Sequence, residues 1–197
     1  ASLVQHFRID APAELISDNL LDLTHVGFVH ANTIGFNPAA LENDPLVTEF
    51  DGNRIINTRF FPDVPPAPTH KAWGGFEGNV DRTSRSEWTP PGRVNILVRI
   101  ADAKASVDLR FDHFVTPETT QTHHYFVAIS RNFKIDDPEL TKVIDRENHK
   151  VHEEDREIVE AQFRTMKLHD TVKDHYIDQD KAVYRSQAIL RSLAREN

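Results

Sequence analysis

Cysteine is absent from this 197-residue chain. That excludes disulfides, thiolate metal sites and a cysteine nucleophile. No apolar run approaches the roughly 18 residues that a membrane helix needs. The opening ASLVQHFRID lacks the charged-then-apolar layout of a secretory leader, so the expected setting is cytoplasmic. Positive charge is in short supply: 23 Lys and Arg against 31 Asp and Glu leave a net charge of −8. No basic cluster interleaved with aromatics offsets it, so nucleic acid is not an expected partner, and neither is a membrane. There is no internal repeat, no low-complexity tail, no phosphate-cradling glycine loop and no coiled-coil heptad. The chain also begins without Met, already inside a strand-like alternation (Leu3, Gln5, Phe7, Ile9), which points to a piece of a longer protein.

What is present is an ordinary globular composition, 39% hydrophobic and 27% charged, of a length that suits one domain with a real core. After the opening strand, APAELISDNLLDLTH reads as a helix with Pro12 near its start and Gly27 ending or kinking it. LVTEF and RIINTRFF form a hairpin about Asp51-Gly52-Asn53. PDVPPAPTH reads as a proline-rich loop and AWGGFEGN as an irregular glycine-rich segment. RTSRSEW, RVNILVRIA, ASVDLRFDHFV and THHYFVAISRNF then follow as an antiparallel meander, with Pro90-Pro91-Gly92 at one turn. From Asp136 the period changes. Leu140, Val143, Ile144, Val151, Ile158, Val159, Phe163 and Met166 mark one long amphipathic helix. KAVYRSQAILRSLAREN closes the chain as a shorter one. A helix, a run of strands and a long helix predict an α+β domain with helices packed on one antiparallel sheet.

Histidine is abundant, with eleven copies. Two of them, His25 and His30, interrupt the largely apolar run DLTHVGFVH. Residues five apart on a regular helix lie about 140° around its axis, so one ion needs the backbone to break, and Gly27 permits that. The bland alternative is a pair of core histidines satisfied by backbone carbonyls. A third feature changes the balance: Asp155 stands where the long helix's stripe calls for a hydrophobe. An ionised carboxylate facing a core is costly unless it is paired or metal-bound. Two histidines and one carboxylate make the facial set of non-haem Fe(II) oxygenases. Periodicity alone leaves Glu147, Glu153, Glu154 and Glu157 as alternatives to Asp155.

The stretch NLLDLTHVGFVHANTIG, with Asn19, Asp22, His25 and His30 at their offsets, resembles the mononuclear-iron motif of Rieske non-haem iron oxygenases. EEDREIVEAQ, with Asp155, resembles the downstream acidic stretch of that family, and TPETTQTHHYF is most similar to its vanillate O-demethylase branch. The likeness runs from Ala1 to about Asn197. It implies a catalytic domain with a helix-grip, START-like fold: a twisted antiparallel sheet wrapped around a long C-terminal helix, residues 1–197 forming a single domain. His25, His30 and Asp155 would hold the Fe(II). Asp22 would be the bridging acid that hydrogen-bonds an iron ligand and receives electrons, and Asn19 would lie near the iron without binding it. The implied reaction uses O2 to hydroxylate or O-demethylate a small aromatic acid, and oxidation of a methyl ether gives phenol and formaldehyde. A reductase or ferredoxin would supply electrons through a [2Fe–2S] cluster. That cluster needs two Cys and two His, so it belongs to an N-terminal Rieske domain outside this cysteine-free chain, reached across a homotrimer. The isolated catalytic half would have no electron supply of its own.

For the substrate, His113 shares a strand face with Val107, Leu109 and Phe111 and is a candidate hydrogen-bonding group. Asn95 is a second candidate. Trp73 and Phe76 could form a mobile lid or serve as packing. Only one of His123 and His124 can face inward. His152 lies near Asp155 as a competing ligand that the family pattern disfavours, and His6, His70, His169 and His175 read as surface or structural. Two rival readings are a START-like ligand-binding domain without redox chemistry and a zinc hydrolase on the same three ligands. For the latter no nearby general base is evident.

Overall fold

The computed structural model describes residues 1–35, 46–168 and 177–195. His169 and His175 lie outside the described residues. Seven strands form one open antiparallel sheet in the order β1-β7-β6-β5-β4-β3-β2. Their ranges are β1 Ser2–Ile9, β2 Val47–Asp51, β3 Arg54–Val64, β4 Val80–Thr89, β5 Arg93–Ala101, β6 Ser106–Pro117 and β7 His123–Arg131. The helices are α1 Ala13–Leu21, α2 Val26–Val29, α3 Pro68–Gly74, α4 Pro138–Leu168 and α5 Lys181–Leu193. This is the expected α+β arrangement, a helix-grip with one long helix against the sheet.

Period-2 alternation gives the sheet one buried face. Val80, Arg82, Ser84, Ser86 and Trp88 point inward from β4, and His123, Tyr125, Val127 and Ile129 from β7. Gly52 turns the β2–β3 hairpin at φ +58°, as Asp-Gly-Asn predicts. α4 is 31 residues, about 46 Å at 1.5 Å per residue. Its buried positions are Ile144, Asn148, Val151, His152, Asp155 and Val159. At 100° per residue these span an arc of about 100°. Ile158, 48% exposed, sits just outside that arc, and Met166 is exposed as well, although the sequence stripe included both. The face is apolar at Ile144, Val151 and Val159 and turns polar at Asn148, His152 and Asp155.

Three local expectations are corrected. The first helix stops at Leu21 rather than running to Gly27. Buried Asn57 donates to the Leu21 carbonyl at 2.7 Å and buried Ser86 to the Leu20 carbonyl at 2.9 Å, taking up backbone acceptors at the helix end. Asp22 then leaves helical geometry (ψ 89°) and its carboxylate accepts the Thr24 N–H at 2.7 Å, a short-range turn that competes with helix. Gly27 lies inside α2 instead of breaking it. The supposed loop at PDVPPAPTH is strand as far as Val64, and α3 starts at Pro68, where proline's fixed φ suits a first helical residue. Trp73 therefore lies on a helix. No helix among the described residues is long and apolar enough to cross a membrane.

Candidate metal centre

The turn after α1, the single-turn α2 and the middle of α4 bring His25, His30 and Asp155 together. His25 caps the start of α2 and His30 its end. Their rings stand 5.2 Å apart at 71°. His25 Nε2 lies 3.4 Å from Asp155 Oδ1, and His30 Nε2 lies 3.0 Å from the same oxygen. One ligand atom from each falls within 4.8 Å of the others, and no other set of three or more His, Asp or Glu does so among the described residues. His30 and Asp155 are 1% and 3% exposed, while His25 is half-buried.

Each imidazole is oriented through its other nitrogen. His30 Nδ1 donates to the Glu154 carboxylate at 2.7 Å, and the Thr33 hydroxyl donates to the same carboxylate at 3.1 Å. His25 Nδ1 donates to the Asp22 carbonyl. With Nδ1 engaged elsewhere, both Nε2 atoms face Asp155, and loss of the proton held there would free the lone pair that a metal uses. Asn19 Nδ2 donates to Asp155 Oδ1 at 3.2 Å. Asp22 thus meets His25 through its main chain; its carboxylate is occupied by the Thr24 N–H rather than by a ligand imidazole, as the resemblance would have had it.

Burial would raise the Asp155 carboxyl, but hydrogen bonds and charge from the two imidazoles hold it well below the usual carboxylate range. Burial likewise opposes protonation of His30, yet Asp155 and Glu154 together raise its imidazole. Protons shared in a buried nitrogen–nitrogen–oxygen cluster are those a divalent cation displaces, so this donor set fits a ferrous ion.

The centre opens into a pocket of about 870 Å³, its mouth included, walled largely by apolar side chains from α1, the inner sheet face and α4. His113 is in that wall, 2% exposed, with Nδ1 hydrogen-bonded to the Tyr125 hydroxyl at 2.7 Å and Nε2 without a partner among the described residues. Asn95 is not in the wall. Val94 and Ile100, both fully buried, set the inward phase of β5, and Asn95 falls on the other face, donating to Asp112 Oδ1 at 2.7 Å. It lies in a separate polar groove with Arg85, Arg93 and Arg110.

Trp73 and Phe76 are 3% and 2% exposed, packing rather than a lid, and Trp73 is part of the pocket wall. His152 lines the pocket but stays out of the ligand cluster. Its Nδ1 engages Gln5 Oε1 at 2.8 Å, and burial pushes its imidazole down to about 4. His123 is the inward one of its pair, fully buried and bonded to the Ala11 carbonyl at 2.7 Å, while His124 meets His6 on the outside.

Sequence reasoning missed four pocket or site residues. Glu154 was one acid among several. Arg59, Arg82 and His70, all buried, line the pocket. For the two arginines a signal existed: strict alternation puts Arg59 in phase with Ile55, Asn57 and Phe61, and Arg82 in phase with Val80 and Trp88.

The vanillate O-demethylase oxygenase C-terminal domain, as a family, matches residues 9–196. A vanillate O-demethylase oxygenase subunit of a Pseudomonas species is 33% identical over 176 residues, 81% of this chain and 52% of the relative. The toluene-4-sulfonate monooxygenase system iron-sulfur subunit of Comamonas testosteroni is 32% identical over 167 residues, 79% of this chain and 48% of the relative. Among solved structures, dicamba monooxygenase bound to 3,6-dichlorosalicylic acid superposes with a TM-score of 0.90 at 25% identity, covering 99% of this chain and 59% of that one. The chain spans about half the length of the curated relatives it matches.

Proposed function

Because the chain belongs to the family of vanillate O-demethylase oxygenase C-terminal domains, we propose that residues 1–197 are the catalytic domain of a Rieske-type aromatic oxygenase. It holds a mononuclear Fe(II) on His25, His30 and Asp155 and acts with O2 on a small aromatic acid, by hydroxylation or O-demethylation. The observation that carries this reading is the two-histidine, one-carboxylate cluster facing a largely apolar pocket.

His25, His30 and Asp155 would hold the ferrous ion, which would supply the O2 chemistry. The protein supplies orientation and a dry cavity. Glu154 and the Asp22 carbonyl fix the two imidazoles, and Asn19 steadies Asp155. Leu20, Leu109, Phe111 and Val151 wall a slot that suits an aromatic ring. Tyr125 sets His113 so that its open Nε2 can meet a polar substituent on that ring. In O-demethylation the ether carbon gains one oxygen atom. The other leaves as water with two electrons and two protons, and the hemiacetal splits into phenol and formaldehyde. Those electrons come from a reductase or ferredoxin through a [2Fe–2S] cluster, which a chain without cysteine cannot ligate. We assign the cluster to a separate Rieske domain, delivered by a neighbouring copy in a homotrimer, with half-buried Asp22 beside His25 as the bridging group.

The test is metal analysis and ferrous-iron spectroscopy on anaerobically prepared protein, wild type beside Asp155→Ala. The expected result is about one ferrous ion per chain in the wild type, lost in the variant with the fold retained. A wild type that takes up no iron on Fe(II) loading overturns the proposal. Retention of zinc in preference to iron, with hydrolytic turnover independent of O2, would favour the hydrolase reading instead.

A further inference from the structure

One end of the pocket is explained neither by the metal cluster nor by His113. The β3–β4 register sets Arg82 opposite Phe61 and Arg59 opposite Ser84, so the two arginines are diagonal neighbours on the inner face, on the order of 7 Å apart. Both line the pocket, at 2% and 6% exposure. Arg82 Nη1 donates to the Ile34 carbonyl at 3.1 Å, and the Arg59 guanidinium carbon lies 6.0 Å from the centre of the Phe61 ring, so each has a fixing contact. His70 joins them from α3. It is 3% exposed, its ring centroid lies 5.9 Å from that of Trp73, and its Nδ1 has no hydrogen-bond partner among the described residues.

Setting the histidines aside, the charged side chains in the pocket wall among the described residues are Arg59, Arg82 and Asp155. Asp155 is already engaged with the imidazoles. α4, which carries Asp155, packs on β1 at one edge of the sheet, whereas the arginines stand on β3 and β4 toward the other.

We propose that Arg59, Arg82 and His70 form an anion-binding pole that selects ring substrates bearing a carboxylate or sulfonate and fixes which end of the ring faces α4. The inference deepens the proposed function, from which it takes the aromatic acid as the ligand. Guanidinium forks match the planar or trigonal oxygen sets of such anions, and a desolvated site strengthens each charge-assisted bond. Burial lowers Arg82 only to about 10, so it remains a cation at neutral pH. Burial and the Arg82 charge lower His70 to about 3, leaving a neutral imidazole that can donate one N–H.

Titration calorimetry on the iron-loaded chain with 4-methoxybenzoate, 4-methoxybenzenesulfonate and neutral 4-methoxybenzamide tests this. Both acids should bind roughly tenfold or more tightly than the amide, the stronger of the two naming the anion. Arg59→Gln and Arg82→Gln should each erase most of that preference, leaving amide affinity and iron content unchanged. Where a Gln variant unfolds, the Lys variant carries the test, since it keeps the charge and loses the planar fork. A reduced acid preference in it supports the pole, and an unchanged one overturns it. Equal binding of acids and amide by the wild type also overturns it, as does a preference lost only in His113→Gln. An iron-free chain whose acid binding still depends on the arginines would sink the oxygenase reading and keep the pole. An iron-bound chain indifferent to the acids would overturn the pole and the acid group of the proposed substrate, and keep the iron site.

Discussion

Glu154 and Asp155 are adjacent on α4, yet they meet opposite sides of one imidazole of the candidate metal site. Asp155 meets His30 Nε2 at 3.0 Å and Glu154 meets His30 Nδ1 at 2.7 Å. A carboxylate on Nδ1 fixes the tautomer and raises the basicity of the nitrogen that binds metal. Glu154→Gln keeps a hydrogen-bond acceptor but removes the charge, and the Glu154 side chain is 32% exposed, so the fold should tolerate it. Iron affinity is expected to fall on the order of 10-fold to 100-fold, measured by competition with a chromophoric chelator. Unchanged affinity would mean that packing alone orients His30. Glu154 was hidden in the sequence because EED offers three acids within about 200° of helix, and only the position of the His30 ring separates their roles.

Between α1 and the segment that follows α2, geometry depends on contacts from distant strands and on one glycine. Gly35 N–H donates to the His30 carbonyl at 2.8 Å. A Cβ there would stand 2.7 Å from that carbonyl oxygen and 2.8 Å from Ala31 Cα, both backbone atoms that cannot swing aside. Gly35→Ala should therefore shift the turn after His30, lowering stability by roughly 1–3 kcal/mol and weakening iron binding with it. Urea unfolding and Fe(II) titration on the same preparation measure both. Wild-type values in both would show that the turn relaxes without disturbing the cluster. Period and alternation made the elements readable: the long helix from its stripe, the hairpin from Asp-Gly-Asn, and the misfit carboxylate at Asp155. The end of α1 was not readable. It is set by Asn57 and Ser86, 36 and 66 residues from the carbonyls they hold. Asn95 was misplaced because β5 carries apolar residues on both faces, and only full burial of Val94 and Ile100 fixes its phase.

For the molecule as a whole, acid is the condition that should expose the pocket's design. Its interior holds His70, His113 and His152, each 4% exposed or less. Burial is the largest cause in all three, lowering His70 to about 3, His152 to about 4 and His113 well below the ordinary imidazole value. A histidine whose folded pKa is depressed takes up its proton in the unfolded chain first. Its contribution to stability is therefore complete above about pH 6.5 and is lost as pH falls below that value. At 1.36 kcal/mol per unit, His70 and His152 each lose on the order of 2 kcal/mol between pH 6.5 and 5. Asp155 works in a different window. Its depressed carboxyl stabilises the fold above the ordinary carboxylate pKa and stops doing so only as pH falls below about 4. The raised His30 is already fully favourable below 6.5 and stays constant across the interval. Urea midpoints of the metal-free chain at pH 6.5, 6.0, 5.5 and 5.0, where His30 is constant, should thus fall steeply, the slope easing in His152→Gln. A flat profile from 6.5 to 5 would mean that water reaches these imidazoles in the folded state, and a pocket that wet would not suit an apolar ring.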